Sequence, residues 1–532
     1  MKQSKGESGM EKTKEEKKGL FFRFINGVEV IGNKLPHPFY LFTILIVVAI
    51  VLSVIFAGVS VTYESASSKG TGGEIVTVTV KNLLNKETIN YVTQNLYSIY
   101  YNFSPMMMMG LLMLSIGLAE QVGLFGAFIK KTIAGVRPAF VFAIVSFIAI
   151  NANTASNAGI LGCTAVAAAV FASMGYNPWL GIILAYAAGN AGMSANIFVG
   201  NMDVLLSGIN ESVCSSLGID TSTVHVLQNW YFMFACAIIL TVVFTLVTTK
   251  FVRGFIGEAK DLSLIQVGSS DKDLSPLEHK ALRNTGIAAV IYLALLVIIC
   301  IPKNSVFRAD DGSLLPNSPL LKSVLTLLFL FFMVTGIAYG RTTGALKDKN
   351  SLPKMLAGSI NSMVNFMVIA LPASLFIYLF NASNIPTALG AAGAAWIKTS
   401  GINGFGLMVL IVFFSTFLNL FMTSGSSKWM ILAPILIPML YAIGFSPALT
   451  TVAYRIGDSA TNVIAPISSD VALIVGLLGK YNTDKSKTPG MGTVFAGCMP
   501  YAIATMITEL LILGVWWAFN LPLGPGVTMF IK

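Results

Sequence analysis

The chain has 532 residues, of which 55% are hydrophobic and only 11% charged. Soluble domains carry about 25% charged residues, so this composition excludes a water-soluble globule and requires lipid as solvent. The net charge of +10 is not a nucleic-acid footprint, because no compact basic face with interleaved aromatics accompanies it.

The first 37 residues are charged and lysine-rich (Lys12, Lys14, Lys17, Lys18). The apolar run behind them, Phe39–Val59, has full spanning length and reads as a retained signal anchor, not a cleaved leader. A polar stretch, 61–98, follows, in which Glu74–Val80 alternates enough to suggest a short strand. Pro105–Phe128 is the second span and ends at Lys130-Lys131. Pro138–Ile150 and Ile160–Ser173 are each short for a crossing and flank the polar tip 151–159, so they read as a re-entrant hairpin. Pro178–Val199 is a span interrupted at Gly189-Asn190-Ala191-Gly192, and 206–227 is a polar loop. Trp230–Val252, Thr285–Ile301, Leu320–Tyr339 and Met363–Phe380 are further spans. Phe405–Phe421 and Trp429–Ala442 form a second hairpin around the tip Thr423–Lys428. Pro447–Ile467 is a span broken around Gly457-Asp458, Asp470–Leu478 continues it, and Met499–Phe519 is the last span.

The expected fold is therefore an all-α integral membrane protein with nine crossings and two hairpins. With a cytoplasmic N-terminus, the loops 129–137, 253–284, 341–354 and 480–494 fall inside and hold most of the lysine and arginine. The loops 61–98, 206–227 and 303–318 then fall outside, as does the C-terminus. The first hairpin enters from the cytoplasm and the second from outside, the signature of an inverted-topology repeat. The sequence agrees: Asn151-Ala-Asn-Thr-Ala-Ser156-Asn157 is answered 268 positions later by Asn419 and the tip that follows it. Gly175-Tyr-Asn-Pro178 answers Gly444-Phe-Ser-Pro447, and Asp203-Val-Leu-Leu206 answers Asp470-Val-Ala-Leu473. The expected segments are a basic N-terminal stretch 1–37, first scaffold helices 38–137, a first repeat core 138–206, scaffold helices 207–402, a second repeat core 403–479 and a final basic loop and span 480–532.

Polar backbone at membrane depth is tolerated only where protein or a water-lined cavity supports it, and paired interruptions point to a transporter's binding site. Asn153, Ser156, Asn157 and Gly159 at one tip, with Thr423, Ser424, Gly425, Ser426 and Ser427 at the other, offer hydroxyls, amides and helix N-termini to an anionic solute and a coupling ion, sodium or a proton. Small residues also serve plain helix packing. Arg455 and Asp458 share a helical face within a span, where each charge costs at least ~2.5–3.5 kcal/mol. Either they pair with each other, or Arg455 receives a substrate carboxylate while Asp458 takes a proton or a cation. Asp203 and Asp470 follow the broken spans; Asp203 either shares the coupling role or, like Asp470, sits solvated near a helix end. Lys428 could neutralise an anion; Trp429 is either a stacking platform or an interfacial anchor. Glu120 and Glu509 receive no role. Met106–Met109 reads as adaptable packing.

Five cysteines without CxxC spacing and three dispersed histidines argue against a metal centre or a disulfide framework. Cys214 falls in an expected external loop without a partner. The chain lacks a GxxxxGK[ST] loop, which argues against direct ATP drive. Gly457-Asp458 with Tyr454, or Ser426 with Lys428, are two-residue likenesses to intramembrane proteases that leave the inverted repeat unexplained, so no enzyme is expected. A passive channel, with gradient-independent flux, is the other rival.

The block Ser424-Gly-Ser-Ser-Lys-Trp-Met-Ile-Leu-Ala-Pro434, with Tyr454-Arg-Ile-Gly-Asp-Ser459, Thr461-Asn462 and Pro466, resembles the AbgT family of p-aminobenzoyl-glutamate transporters over nearly the whole chain. The resemblance implies a homodimer of elevator type in a bacterial cytoplasmic membrane, with an inner transport core, an outer scaffold and an ion gradient as power source. It implies uptake of p-aminobenzoyl-glutamate or export of sulfonamide drugs, without a cofactor. The family's important polar positions fall on Asp203, Ser426, Trp429, Arg455, Asp458 and Pro466; Asn462 joins Asp203 and Asp458 as a candidate for ion coupling. Gly189, Gly457 and Pro466 are expected to shape the helix breaks. A dicarboxylate or citrate carrier is the alternative within the same class.

Overall fold

A computed structural model describes residues 36–64, 75–134, 136–265, 274–315, 318–401, 404–465 and 468–531. Pro466 lies outside the described residues, and of Ser156 only the backbone is described.

Helix α1 (Pro38–Ile55) opens on a proline in its first turn, with the His37 ring accepting the Phe39 N–H. Strands β1 (Ser60–Glu64) and β2 (Ile75–Thr79) then pair antiparallel, Ser60 opposite Thr79. Helix α2 (Lys86–Tyr101), capped by Asn85, leads into α3 (Ser104–Gln121), which turns at Gly123 (φ +86°) into α4 (Leu124–Ala134). The first repeat is α5 (Val141–Ala152), a single 3₁₀ turn Asn153–Ala155, α6 (Ser156–Ser173), α7 (Pro178–Ala191) and α8 (Asn201–Ser216). After α9 (Trp230–Val247) come α10 (Pro276–Cys300), α11 (Val324–Thr343), α12 (Ser351–Ala382) and α13 (Ile385–Ser400). The second repeat is α14 (Gly404–Asn419), α15 (Gly425–Tyr441), α16 (Pro447–Asn462) and α17 (Ser469–Lys480), followed by α18 (Met491–Phe519).

Among the described residues, seven helices are long and apolar enough to cross a membrane, or up to eight if the bent pair Leu124–Ile133 and Pro138–Ala152 counts as one span. The seven coincide with seven of the nine expected crossings; the other two expected crossings are the interrupted segments that contain α7 and α16. Apolar surface on α1 (Ile44, Val47, Val51, Val54) and α10 (Val290, Ile291, Val297, Ile298) is exposed, as a lipid-facing helix requires.

Burial runs the other way in the repeats. Every residue of α7 and of α16 is buried, although α16 carries Thr450, Thr451, Arg455, Asp458, Ser459, Thr461 and Asn462. The packing explains how. Helices α5 and α6 pack on α7, and α14 and α15 on α16. The repeats then interlock: α7 meets α16, α8 meets α15, and α17 meets α7. Helix α18 closes over α16 and α7, with α9 beside it. The polar centre of the molecule is thus walled by helices from both repeats. The matched turns before α7 and α16 are built alike. Gly175 and Gly444 adopt left-handed φ values of +82° and +94°. The Asn177 and Ser446 side chains then cap helices that begin with Pro178 and Pro447.

Several expected boundaries are corrected. The stretch 61–98 contains the β-hairpin and α2, and the expected loop 206–227 begins with helix α8, so Cys214 is a free, buried helical thiol. The second span ends at Gln121, because Gly123 turns the chain before Phe128. Helix α13 had no counterpart among the expected elements. The residues taken for tips are mostly first turns: Asn157 and Gly159 belong to α6, and Gly425 to Lys428 belong to α15. Gly189 and Gly457 do not break their helices, which run on to Ala191 and Asn462. They are small for packing reasons. A Cβ at Gly189 would lie 2.7 Å from Ile160 Cγ2, and one at Gly457 would lie 2.7 Å from Ser415 Cβ and against the Val412 carbonyl.

Candidate functional site

The interruptions follow α7 and α16, over 192–200 and from Val463, and each is held by the last polar residue of its own hairpin arm. Asn151 Oδ1 accepts the Ile197 N–H at 2.9 Å. Its repeat counterpart Asn419 donates to the Asp458 carbonyl at 2.6 Å, Asn462 Oδ1 at 2.8 Å and Thr461 Oγ1 at 3.0 Å. The signal was present in the sequence, since both asparagines begin the matched motifs, but their job as braces was not.

Two buried ion pairs occupy the centre. Arg455 Nη1 lies 2.7 Å from Asp203 Oδ1, and its Nε and Nη2 donate to the Met193 carbonyl at 3.0 and 2.5 Å. Asp203, in the first turn of α8, accepts through Oδ2 from the Gly200 N–H at 2.7 Å and Asn196 Nδ2 at 3.2 Å. It is therefore the anion at a helix N-terminus, buried and paired, not a solvated end residue. The second pair joins Lys428, in the first turn of α15, to Asp458; Lys428 also donates to Asn419 Oδ1. Of the two expected alternatives for Arg455 and Asp458, mutual pairing is not what the fold adopts: each finds a partner on another element. Arg455 reaches across to the first repeat, and Asp458 stays within the second.

The sequence-predicted residues converge around these pairs. Ser424 caps α15, its Oγ accepting the Ser427 N–H at 3.4 Å. Gly425 sits against Asp458: a Cβ there would be 2.9 Å from Oδ2 and 2.8 Å from the Met202 methyl. At the other tip, Thr154 packs on Gly200, Asn153 is buried, and Asn157 Nδ2 donates to Asp470 Oδ2 at 3.2 Å. The segment 200–203 lies between the two tips, touching Thr154 on one side and Gly425 on the other. Asn462 Nδ2 faces the Met193 sulfur at 2.9 Å. Trp429 is fully buried and its ring stacks on Tyr454, with centroids 4.6 Å apart, while its N–H donates to Asn210 Oδ1 at 2.7 Å. It is not an interfacial anchor. Tyr454 in turn donates to the Gly425 carbonyl at 2.5 Å, tying this aromatic stack to the tip. The side chains that sequence reasoning left without a role are Asn419, Asn210, Ser194, Ser459 and Glu509, all buried here.

Chemically, the site offers two cations, two carboxylates and a set of amides and hydroxyls at the meeting of several helix ends. Arg455 suits planar anions. The four charges of the two pairs cancel, so an anionic guest would need a compensating positive charge in this low-dielectric setting.

The profile of the AbgT putative transporter family matches residues 23–531. The p-aminobenzoyl-glutamate transport protein of Escherichia coli (strain K12) is 33% identical over 503 residues, covering 94% of this chain and 96% of that one. Two solved structures have the same fold. The MtrF structure from Neisseria gonorrhoeae, described as illuminating a class of antimetabolite efflux pumps, gives a TM-score of 0.85 at 30% identity over 95% of this chain and 100% of that one. The YdaH transporter of Alcanivorax borkumensis gives 0.83 at 29% identity, over 92% of this chain and 100% of that one. These relatives are transporters and not enzymes. A lipid-exposed set of apolar helices around a buried, charged, doubly repeated centre is what such a carrier needs, and this chain, an integral membrane protein, belongs to the AbgT transporter family.

Proposed function

We propose that the protein is an ion-gradient-driven secondary transporter of p-aminobenzoyl-glutamate or related aromatic anions, sulfonamide drugs in the outward direction included. The observation that carries the proposal is the Arg455–Asp203 pair, a buried ion pair that joins the two repeats. Asp203 holds the guanidinium as a cargo carboxylate would. A glutamate carboxylate arriving at Arg455 competes with Asp203, and the contact between the repeats is thereby tied to cargo.

Because the four site charges cancel, cargo carboxylates must be accompanied by a proton or a sodium ion. Asp203 and Asp458 are the groups that can receive it once their cations are drawn to the cargo, with Asn462 and the tip residues Asn153, Ser156, Asn157, Ser424, Gly425 and Ser426 as neutral ligands. The Trp429–Tyr454 stack is the aromatic wall beside them. In this reading the repeats form the moving core of an elevator-type homodimer, and α1, α3 and α10–α12 form the scaffold. With nine crossings and the basic loops inside, the N-terminus is cytoplasmic and the C-terminus external in a bacterial-type inner membrane.

A dicarboxylate carrier is the second reading, favoured by the presence of two cations, Arg455 and Lys428. Uptake of labelled p-aminobenzoyl-glutamate into proteoliposomes, under separately imposed proton and sodium gradients, tests the proposal. Accumulation driven by one gradient and competed by unlabelled substrate but not by succinate supports it. Succinate competition with no effect of the aromatic compound supports the rival, and flux indifferent to any gradient refutes coupling.

A further inference from the structure

Outside the two cancelling ion pairs, one more ionisable group is sealed into the centre. Glu509 lies midway along α18 and is wholly buried. Its Oε1 accepts from Ser194 Oγ at 2.5 Å, and its Oε2 lies 3.5 Å from Ser459 Oγ. The two serine hydroxyls are themselves 2.5 Å apart. Ser194 belongs to the interruption that follows α7, and Ser459 to α16, so the carboxyl sits on a hydroxyl bridge between the two repeats. Among the described residues no lysine or arginine forms an ion pair with it; Arg253, Lys260, Lys428 and Arg455 pair with other carboxylates.

Its surroundings are otherwise sparse in charge. Arg455 on α16 and the Cys236 thiol on α9 act on it electrostatically, and Arg455 is already engaged by Asp203 and the Met193 carbonyl. On α7 the Tyr186 hydroxyl interacts with Asp470 of α17 and with Cys498 of α18. Helix α14 carries no titratable residue.

We propose that Glu509 is a proton-binding site whose occupancy is coupled to the approach of the two repeats. The chemistry of its partners suits that task. A hydroxyl both donates and accepts, so in the carboxylate form Ser459 donates to Ser194 and Ser194 to the carboxylate, whereas in the acid form the carboxyl donates to Ser194 and Ser194 to Ser459. The cluster keeps its hydrogen bonds in both proton states, which a lysine partner could not do. The bridge exists only while the 194 segment and α16 are adjacent. When the repeats separate, the carboxyl loses its hydroxyl partners, and its proton affinity changes with the conformation. An ionisable side chain at membrane depth with such a partner set marks a proton relay more readily than a packing residue. Its coupling to flux rests on the transporter reading above, but proton binding itself does not.

The test has two arms on the full-length protein. In lipid, infrared difference spectra between acid and alkaline buffers should show a carboxylic-acid band that disappears in Glu509→Gln and shifts its titration midpoint by at least half a pH unit in Ser194→Ala. A parent band that persists in Glu509→Gln, or no shift in Ser194→Ala, overturns the proposal. Should Glu509→Gln fail to purify as a monodisperse protein, the Ser194→Ala and Ser459→Ala shifts decide alone. In proteoliposomes, Glu509→Gln should lose proton-driven accumulation at least tenfold while retaining exchange of labelled for unlabelled solute without a gradient. Accumulation within twofold of the parent, or equal loss of exchange and accumulation, overturns the coupling role. A parent that shows the band but moves no aromatic solute would refute the proposed substrate and leave the proton site standing.

Discussion

Removing either partner of the Asp203–Arg455 pair should cost far more than removing both. The side chains are each 4% exposed and their charged atoms are 2.7 Å apart. Deleting one member of a buried pair costs about 3–5 kcal/mol, since the survivor is left charged and unpaired, while apolar replacement of both is often near neutral. The two single variants should also differ. In Arg455→Met the carboxylate keeps the Gly200 N–H at 2.7 Å and Asn196 at 3.2 Å. In Asp203→Leu the guanidinium keeps only the Met193 carbonyl, and α8 also loses the carboxylate of its first turn, worth roughly 0.5–2 kcal/mol. Asp203→Leu is therefore expected to be worse than Arg455→Met by about 1 kcal/mol. The double variant should recover at least about 2 kcal/mol relative to the sum of the singles. Equilibrium unfolding of the purified proteins in mixed micelles measures all three. Additivity of the singles within about 0.5 kcal/mol would show that the pair is not energetically linked and would remove its place at the centre of the mechanism.

Three further outcomes can be measured. Gly457→Ala should destabilise by about 1–3 kcal/mol, and more than Gly189→Ala, because its new methyl meets the Val412 backbone carbonyl whereas that of Gly189 meets only the Ile160 side chain; the reverse order of thermal midpoints would refute the packing argument. Trp429→Ala should weaken competition by aromatic solutes more than by small dianions, since it removes the face on which Tyr454 stacks beside the tip; equal losses would dismiss the aromatic wall. The part-buried His225 ring, in the segment before α9, meets the Pro525 carbonyl at 3.1 Å, and burial holds its proton affinity below the ordinary value against that hydrogen bond. As pH falls below about 6.5, the unfolded chain takes up this proton before the folded one, so the stabilisation present at higher pH is lost as the folded value is approached. Hydrogen-exchange protection of the C-terminal residues around Leu523–Val527, corrected for the intrinsic rate at each pH, should fall on acidification, and His225→Gln should abolish that loss of protection.

Much of the architecture could be read along the chain because its causes are local. A run of apolar residues long enough to cross lipid is recognised without knowing its neighbours, which is why the seven long helices coincide with expected spans. The paired polar motifs suggested a repeat for the same reason, since polar residues such as asparagine and serine stand out in so apolar a chain and their recurrence carries information. Helices α2 and α8 escaped notice because they are too polar for hydropathy to mark, and apolar α13 because it is short for a crossing. Polar α8 is buried by a repeat lying more than two hundred residues downstream, and no window on its own sequence contains that fact. Gly189 and Gly457 looked like breaks because a glycine's local effect is to loosen a helix, but here the neighbouring arms leave no room for a Cβ. The pairing of charges was settled by tertiary packing alone. Three residues' separation on α16 made Asp458 an available partner for Arg455, yet the crossing of the repeats set Asp203 against the guanidinium and Lys428 against Asp458. Residue type tells which charges must find partners in a low-dielectric interior; only the meeting of distant helices tells which partners they find.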